Sequence, residues 1–339
     1  MALSFNQERR HARILSVGAY RPARVVHNSE IVEKIDSSDE WIQQRTGIIT
    51  RHIADENESL IDMTVKACEI AIKRAGLKAQ DIDAVIFATI SYPYQAPSAA
   101  TELIARLDTP HAAAFDISAA CAGFSYGVGL ANDMVSNKTA NYVLVIGAEK
   151  LSDFTDPNDR ATAFIFADGA GAVVIGPSKD VGIGPTIWGS TAETRDAILL
   201  EPSYLEYKKN PGKLDVGWPN IAQQGQTVFR WAVYELAPIA KKAIAAAGLS
   251  PDKLAAFIPH QANERIIDSL AKSIDLPDSV IVARDIRTTG NTSAASIPLA
   301  MDSLLAENPI LHSKPALLIG FGAGLVYASQ VVELPPKEK

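Results

Sequence analysis

AGLKAQDIDAVIF (75–87), FDISAACAGFSYGVGLANDMV (115–135) and NYVLVIGAE (141–149) return in the same order as AGLSPDKLAAFIP (247–259), RDIRTTGNTSAASIPLAMDSLL (284–305) and PALLIGFGAG (315–324). The offsets agree: Gly76 and Gly248 lie 172 residues apart, Asp116 and Asp285 169, and Gly147 and Gly320 173. So long a period does not suit a solenoid of roughly 20–50-residue units and fits a duplicated domain. Within each copy, short apolar runs such as AVIFATI (84–90) and YVLVIGA (142–148) alternate with helical patterns such as EIAIKRAG (69–76). That is the rhythm of an α/β sheet with helices on its faces. The simplest architecture is two similar halves, 1–179 and 180–339, meeting around VIGPSKDVGIGP (174–185). This alignment sets Cys121 opposite Gly290, next to Asn291, so equivalent elbows would carry different chemistry at a shared interface, a common location for an active site.

The bulk properties agree with two domain-sized units: 339 residues, 47% hydrophobic and 21% charged. A net charge of −7 argues against nucleic acid and anionic membrane as partners. The two cysteines, Cys68 and Cys121, match no disulfide framework and no metal-ligand spacing, which points to a reducing compartment and so to the cytoplasm. The basic run NQERRHAR (6–13) is followed only by ILSVGAY (14–20), too short for a signal-peptide core. The longest apolar run, Ala316 to Ala328, is broken by three glycines and falls short of the roughly 20 residues of a membrane span.

Three polar residues stand where α/β folds collect chemistry. Cys121 follows the strand-like AAFDI (113–117) and opens an amphipathic helix, whose N-terminal dipole favours a thiolate. A buried structural cysteine is the competing reading, and it holds for Cys68, inside TVKACEIAIKRAG (64–76). His260 sits in LAAFIPHQANERI (254–266), at the mouth of a strand and before a helix. Asn291, in RTTGNTSAASIPLA (287–300), again follows a strand-like run and precedes a helix, where a simple N-cap is the alternative. FGAG (321–324) and GAVVIGPSK (171–179) make neither a dinucleotide fingerprint nor a phosphate loop, and HExxH is absent.

Taken together, SAACAGF (118–124), PHQAN (259–263) and TGNTSAAS (289–296), with SSDEWIQQRTGI (37–48) and FGAG, resemble β-ketoacyl-acyl carrier protein synthase III over about residues 14–333. The resemblance implies a thiolase-like fold: two duplicated halves, each with a mixed five-stranded sheet, layered α-β-α-β-α and assembled as a homodimer. It implies that Cys121 takes an acyl group from acyl-CoA. Malonyl-acyl carrier protein then loses CO2 and attacks the acyl-enzyme as its enolate. His260 Nε2 and Asn291 Nδ2 would donate to the enolate oxygen, and the backbone N–H groups of Cys121 and Ala323 would form a second oxyanion hole. Acyl-CoA is then a substrate; no tightly bound cofactor and no metal are expected.

The same resemblance maps Trp41 and Arg160 to an adenine clamp, Arg45 to the phosphates, and Phe229, Ala262 and Asn263 to the pantetheine tunnel. Ala161 stands where the family often has glycine. Arg230, Arg265 and Lys272 are candidates for docking an acidic carrier protein, against the alternative of a solvated helix face. Ala96, in SYPYQAPSAA (91–100), takes the position of a large aromatic in short-chain members, which leaves room for a primer longer than acetyl. A thiolase would need a second cysteine near the C-terminus, and Cys68 lies in the wrong half. Other rivals are an acyltransferase to hydroxyl or amine acceptors, which Asn291 disfavours, a polyketide starter-unit synthase, and an inactive partner on the same fold.

Overall fold

The computed structural model describes residues 9–210 and 217–338; the start of the NQERRHAR run lies outside them. In chain order the first elements are β1 (His11–Tyr20), β2 (Arg24–His27), α1 (Asp39–Thr46), β3 (Thr50–Ile53), α2 (Leu60–Arg74), β4 (Ala84–Ala88), α3 (Ala99–Arg106), β5 (Ala113–Ile117), α4 (Gly123–Ser136), β6 (Val143–Lys150) and β7 (Asp168–Ser178). There follow β8 (Ile187–Ser190), β9 (Ile198–Glu201), α5 (Tyr204–Lys209), β10 (Asn220–Gln223), α6 (Gly225–Ala246), β11 (Ala256–Pro259), α7 (Glu264–Ser273), β12 (Ile281–Val282), α8 (Ile286–Thr289), α9 (Ser296–Glu307), β13 (Pro315–Gly322) and β14 (Val326–Glu333).

Two five-stranded sheets result, β1-β7-β6-β4-β5 and β8-β14-β13-β11-β12. In the first, β4 runs parallel to β5 and β6, and β7 antiparallel to β6 and β1. The second repeats that pattern strand for strand, so the duplication read from the sequence is a duplication of mixed sheets. Side-chain alternation along β6 builds the layers. Leu144, Ile146 and Ala148 face α2 and α3, while Val143 and Val145 face a central core that includes residues of α4, α9 and the second sheet. Residues of α6 and α7 cover the outer face of the second sheet. The order is α-β-α-β-α, as expected. Among the described residues no helix is long and apolar enough to cross a membrane.

Two expectations are corrected. The helix after Cys121, read as amphipathic, is packed against both sheets. α4 lies between the sheets and buries Phe124, Val128, Ala131 and Val135 completely. The second correction concerns the register of the repeat. A single 3-10 turn, Ala120–Ala122, leads into α4, and its counterpart Ser293–Ala295 leads into α9. Ala120 (φ 44°) and Ser293 (φ 49°) hold the same left-handed backbone, which makes Ala294, rather than Gly290, the counterpart of Cys121. Close packing confirms this pairing. Gly147 on β6 abuts the Ala294 carbonyl, and Gly320 on β13 abuts the Cys121 carbonyl. The slip arises because the stretch before Asn291, read as a strand-like run, holds the extra turn α8, and only Ile281–Val282 is extended. All of GAVVIGPSK but its final lysine is part of β7.

Candidate active site

A cavity of about 660 Å³ opens between the two sheets, and Cys121, His260, Asn291, Ser293, Phe321 and Ala323 line it. Cys121 is presented by the turn between β5 and α4 and is partly exposed. The turn after β13 presses on it: a Cβ on Gly322 would stand 2.8 Å from Cys121 Cβ and 2.9 Å from its Sγ, so only glycine lets Ala323 and Cys121 approach this closely. Burial pushes the thiol up to about 12; the Ser293 hydroxyl opposes that shift and the Glu149 carboxylate adds to it. Desolvation thus opposes the thiolate form that the α4 dipole favours.

His260 follows β11 directly, and its N–H donates to Ile319 O (2.8 Å) on β13. Its Nδ1 shares a 2.7 Å hydrogen bond with Ser296 Oγ, which also accepts from the Gln261 N–H at 3.3 Å. The tautomer that gives the serine proton an acceptor directs it at Nδ1 and leaves the ring proton on Nε2. Phe321 meets the ring edge-on at 5.1 Å between centroids, and burial brings the imidazole down to about 3. His260 is thus neutral and a donor. Asn291 is held by its backbone, whose N–H donates to Ile165 O and whose carbonyl accepts from the Ala167 N–H. Its Oδ1 accepts from the Ser293 N–H at 2.9 Å, which turns the amide so that Nδ2 is left to donate. It caps no helix; Thr292 and Ala295 occupy those positions.

The cavity widens to a mouth lined by Trp41, Arg45, Arg160, Phe229, Ala262 and Asn263. Both guanidinium groups pack on the Trp41 ring, Arg45 at 4.6 Å and Arg160 at 5.5 Å, so Arg45 shares the indole with Arg160. Asn263 caps α7 through the Arg265 N–H and donates its amide to Arg45 O, which ties the two sides of the mouth together. Ala161 also lines it, as do Arg230 and Arg265, the latter 5.0 Å over the Phe229 ring. Lys272 is exposed near the end of α7, away from the cavity, and Ala96 is exposed on the loop between β4 and α3, also outside it. Cys68, on α2, is completely buried in the outer core. Motif reading missed Ser296, Ser293 and Glu149. The last left a signal, a lone acid closing the apolar run VLVIGAE.

A duplicated α/β fold with a cysteine elbow, a neutral histidine and an oriented amide around one cavity defines the class: a thiolase-fold, acyl-transferring condensing enzyme. Family models agree: 3-oxoacyl-[acyl-carrier-protein (ACP)] synthase III matches residues 115–192, and its C-terminal counterpart matches 244–334. Beta-ketoacyl-[acyl-carrier-protein] synthase III 1 of Streptomyces coelicolor is 56% identical over 332 residues, covering 96% of this chain and 97% of that protein. The mycobacterial beta-ketoacyl-[acyl-carrier-protein] synthase III of Mycobacterium avium is 49% identical, covering 95% and 96%. Among solved structures, the priming β-ketosynthase of the R1128 polyketide biosynthetic pathway superposes with a TM-score of 0.96 at 42% identity, covering all of both chains. The chain belongs to the β-ketoacyl-acyl carrier protein synthase III family.

Proposed function

We propose that this enzyme primes chain synthesis by joining an acyl-CoA to malonyl-acyl carrier protein, and that Cys121, His260 and Asn291 carry the reaction. The observation that carries the assignment is the shared cavity, which sets the only cysteine on its wall among the described residues beside two groups prepared to donate. Cys121 attacks the thioester carbonyl, CoA leaves, and the acyl group is stored on sulfur. The Cys121 and Ala323 N–H groups receive the oxyanion, a role supported by the contact at Gly322. Decarboxylation of the malonyl thioester builds charge on its carbonyl oxygen, where His260 Nε2 and Asn291 Nδ2 donate. The enolate then takes the acyl group, giving a 3-oxoacyl thioester, and frees the cysteine. The acyl group travels on a side chain of the protein, so no tightly bound cofactor is invoked.

Trp41, Arg45, Arg160, Phe229, Ala262 and Asn263 would take CoA, as their lining of the mouth supports. Exposed Arg230 and Arg265 beside that mouth, with Lys272 further along α7, would dock the carrier protein. A homodimer is supported by β5, an edge strand of the first sheet on which Phe115 is 37% exposed, an unpaired apolar edge of the kind that recruits another strand. A cytoplasmic setting follows from two free cysteines and an acyl carrier partner. The halves 1–179 and 180–339 would carry Cys121, and His260 with Asn291, respectively. The R1128 likeness favours a second reading, priming of polyketide rather than fatty acid chains. A preference for primers longer than acetyl rests on the sequence motif around Ala96 alone, since that residue lies outside this chain's cavity.

Intact-protein mass after incubation with acyl-CoAs of increasing length tests the proposal. Acyl adducts are expected on the wild type and not on Cys121→Ala, discharged by a malonyl-acyl carrier protein chase, with longer primers ahead of acetyl. No adduct at any length would overturn it.

A further inference from the structure

The side-chain alternation of β6 turns Glu149 toward the middle layer, where Val143 and Val145 also point, and the residue is completely buried. One carboxylate oxygen, Oε2, is saturated: it accepts from Ser91 Oγ at 2.6 Å, Thr89 Oγ1 at 3.1 Å and the Ile90 N–H at 3.1 Å. The other, Oε1, has no hydrogen-bond partner among the described residues, and neither has the buried hydroxyl of Ser293. A carboxylate kept for structure would have both oxygens satisfied. Asp168, equally buried on the neighbouring strand β7, does: Oδ1 accepts from the Ser152 N–H, and Oδ2 from the Ala54 N–H and Ser152 Oγ. Ser293 sits on the elbow before α9 and lines the cavity with Cys121. Its hydroxyl is near enough to lower the pKa of both Cys121 and Glu149, although it forms a geometrically sound hydrogen bond with neither at rest.

We infer that Glu149, acting through the Ser293 hydroxyl, is the internal proton acceptor for the Cys121 thiol. The inference rests on the acyl-cysteine reading above. That reading leaves a gap, because the resting thiol must lose its proton and His260 is already committed as a donor. In the relay, the S–H bond of Cys121 breaks as its proton passes to Ser293 Oγ. The serine proton passes to Glu149 Oε1, and the sulfur lone pair attacks the acyl-CoA carbonyl. When the tetrahedral species collapses, the bond to CoA sulfur breaks. The relay then runs backwards and hands the proton to the departing thiolate, so the carboxylate ends as it began. Burial raises Glu149 to about 7, which suits a group that must both take and return a proton near neutral pH. Of the titratable groups around it, Cys121 faces it from the elbow before α4 and His260 lies across the cavity. Lys150 and Asp168 are cross-strand neighbours on the opposite face of the sheet.

Two readouts test the relay on the full-length protein: the burst of CoA released on acylation, and the pH profile of Cys121 alkylation by iodoacetamide. Wild-type alkylation is expected to inflect near neutral pH, following Glu149. Glu149→Gln and Ser293→Ala should both lose that inflection and acylate about a hundredfold more slowly. Alanine is tolerated at the Ser293 backbone geometry, since Ala120 holds it at the matching elbow, so the second variant decides the matter if the first fails to fold. The relay is overturned if a folded variant keeps the inflection and acylates within about threefold of wild type. Absence of any acyl adduct on the wild type would sink the underlying reading instead, and the alkylation profile would still decide the relay.

Discussion

His260→Ala should still load an acyl group onto Cys121 and yet slow its consumption by malonyl-acyl carrier protein by about a hundredfold to a thousandfold, the usual effect of deleting one oxyanion donor. Mass spectrometry would show the acyl-enzyme persisting through the chase, and CO2 release from malonyl-acyl carrier protein would fall in parallel. The reasoning turns on the ring's protonation state. Burial holds its pKa near 3, so it stays neutral throughout the working range, and the decarboxylation rate should show no inflection near the ordinary histidine value of about 6.5. Ser296→Ala should reproduce part of the loss, about tenfold, the worth of one hydrogen bond that selects the tautomer. The same burial sets the sign of a stability effect. A folded-state pKa below the unfolded one means the unfolded chain binds the extra proton as pH falls from 6.5 toward 3, so stability declines through that window. Wild type should therefore lose more melting temperature than His260→Ala across it. Equal losses, or normal discharge of the acyl-enzyme by the variant, would refute the assignment.

The positions of Cys121 and His260 were legible because each follows a short apolar strand whose ending is marked in the sequence, AAFDI and LAAFIP. What periodicity does not carry is the far side of an element. α4 reads as amphipathic because Ser125, Tyr126 and Asn132 interrupt its apolar residues, and no one-dimensional pattern reports that a second sheet covers its other face. The elbow register slipped for a similar reason. Asp116 and Asp285 look equivalent, but Asp116 accepts the Ala99 and Ala100 N–H groups on the first sheet, whereas Asp285 pairs with Arg21 and precedes the extra turn α8. Trp41, Arg45 and Arg160 could be grouped only through the family resemblance, since more than a hundred residues separate Arg45 from Arg160. Glu149 went unread inside a run whose apolar character masked its one charge, and its meaning depends on Ser293, which the fold alone brings near.

Gly147→Ala and Gly320→Ala, identical changes at matching points of the two copies, should have unequal consequences. Gly147 lies on β6, where a Cβ would stand 2.1 Å from the Ala294 oxygen, 2.5 Å from its carbonyl carbon and 3.0 Å from the Ala295 nitrogen. All three are backbone atoms of the elbow that precedes α9, and neither sheet nor elbow can retreat without parting the central layer. Overpacking of milder kinds costs about 1–3 kcal/mol, against a total stability of about 5–15 kcal/mol for a typical domain, so this substitution should prevent folding or lower the melting temperature by well over ten degrees. At Gly320 the added carbon would meet Ser125 Oγ at 2.9 Å, Ala122 Cα at 3.0 Å and Cys121 O at 3.3 Å. The serine hydroxyl can rotate away and the remaining contacts ask for shifts of a few tenths of an ångström, so the protein should fold with a slightly lower melting point. The elbow that must yield, however, is the one carrying Cys121, and displacing a nucleophile by a fraction of an ångström should slow acylation about tenfold. Thermal melts beside single-turnover acylation separate the two effects. A Gly147→Ala protein melting within a few degrees of wild type, or a Gly320→Ala protein acylating at the wild-type rate, would show that the two elbows are not packed against the opposite sheets as described.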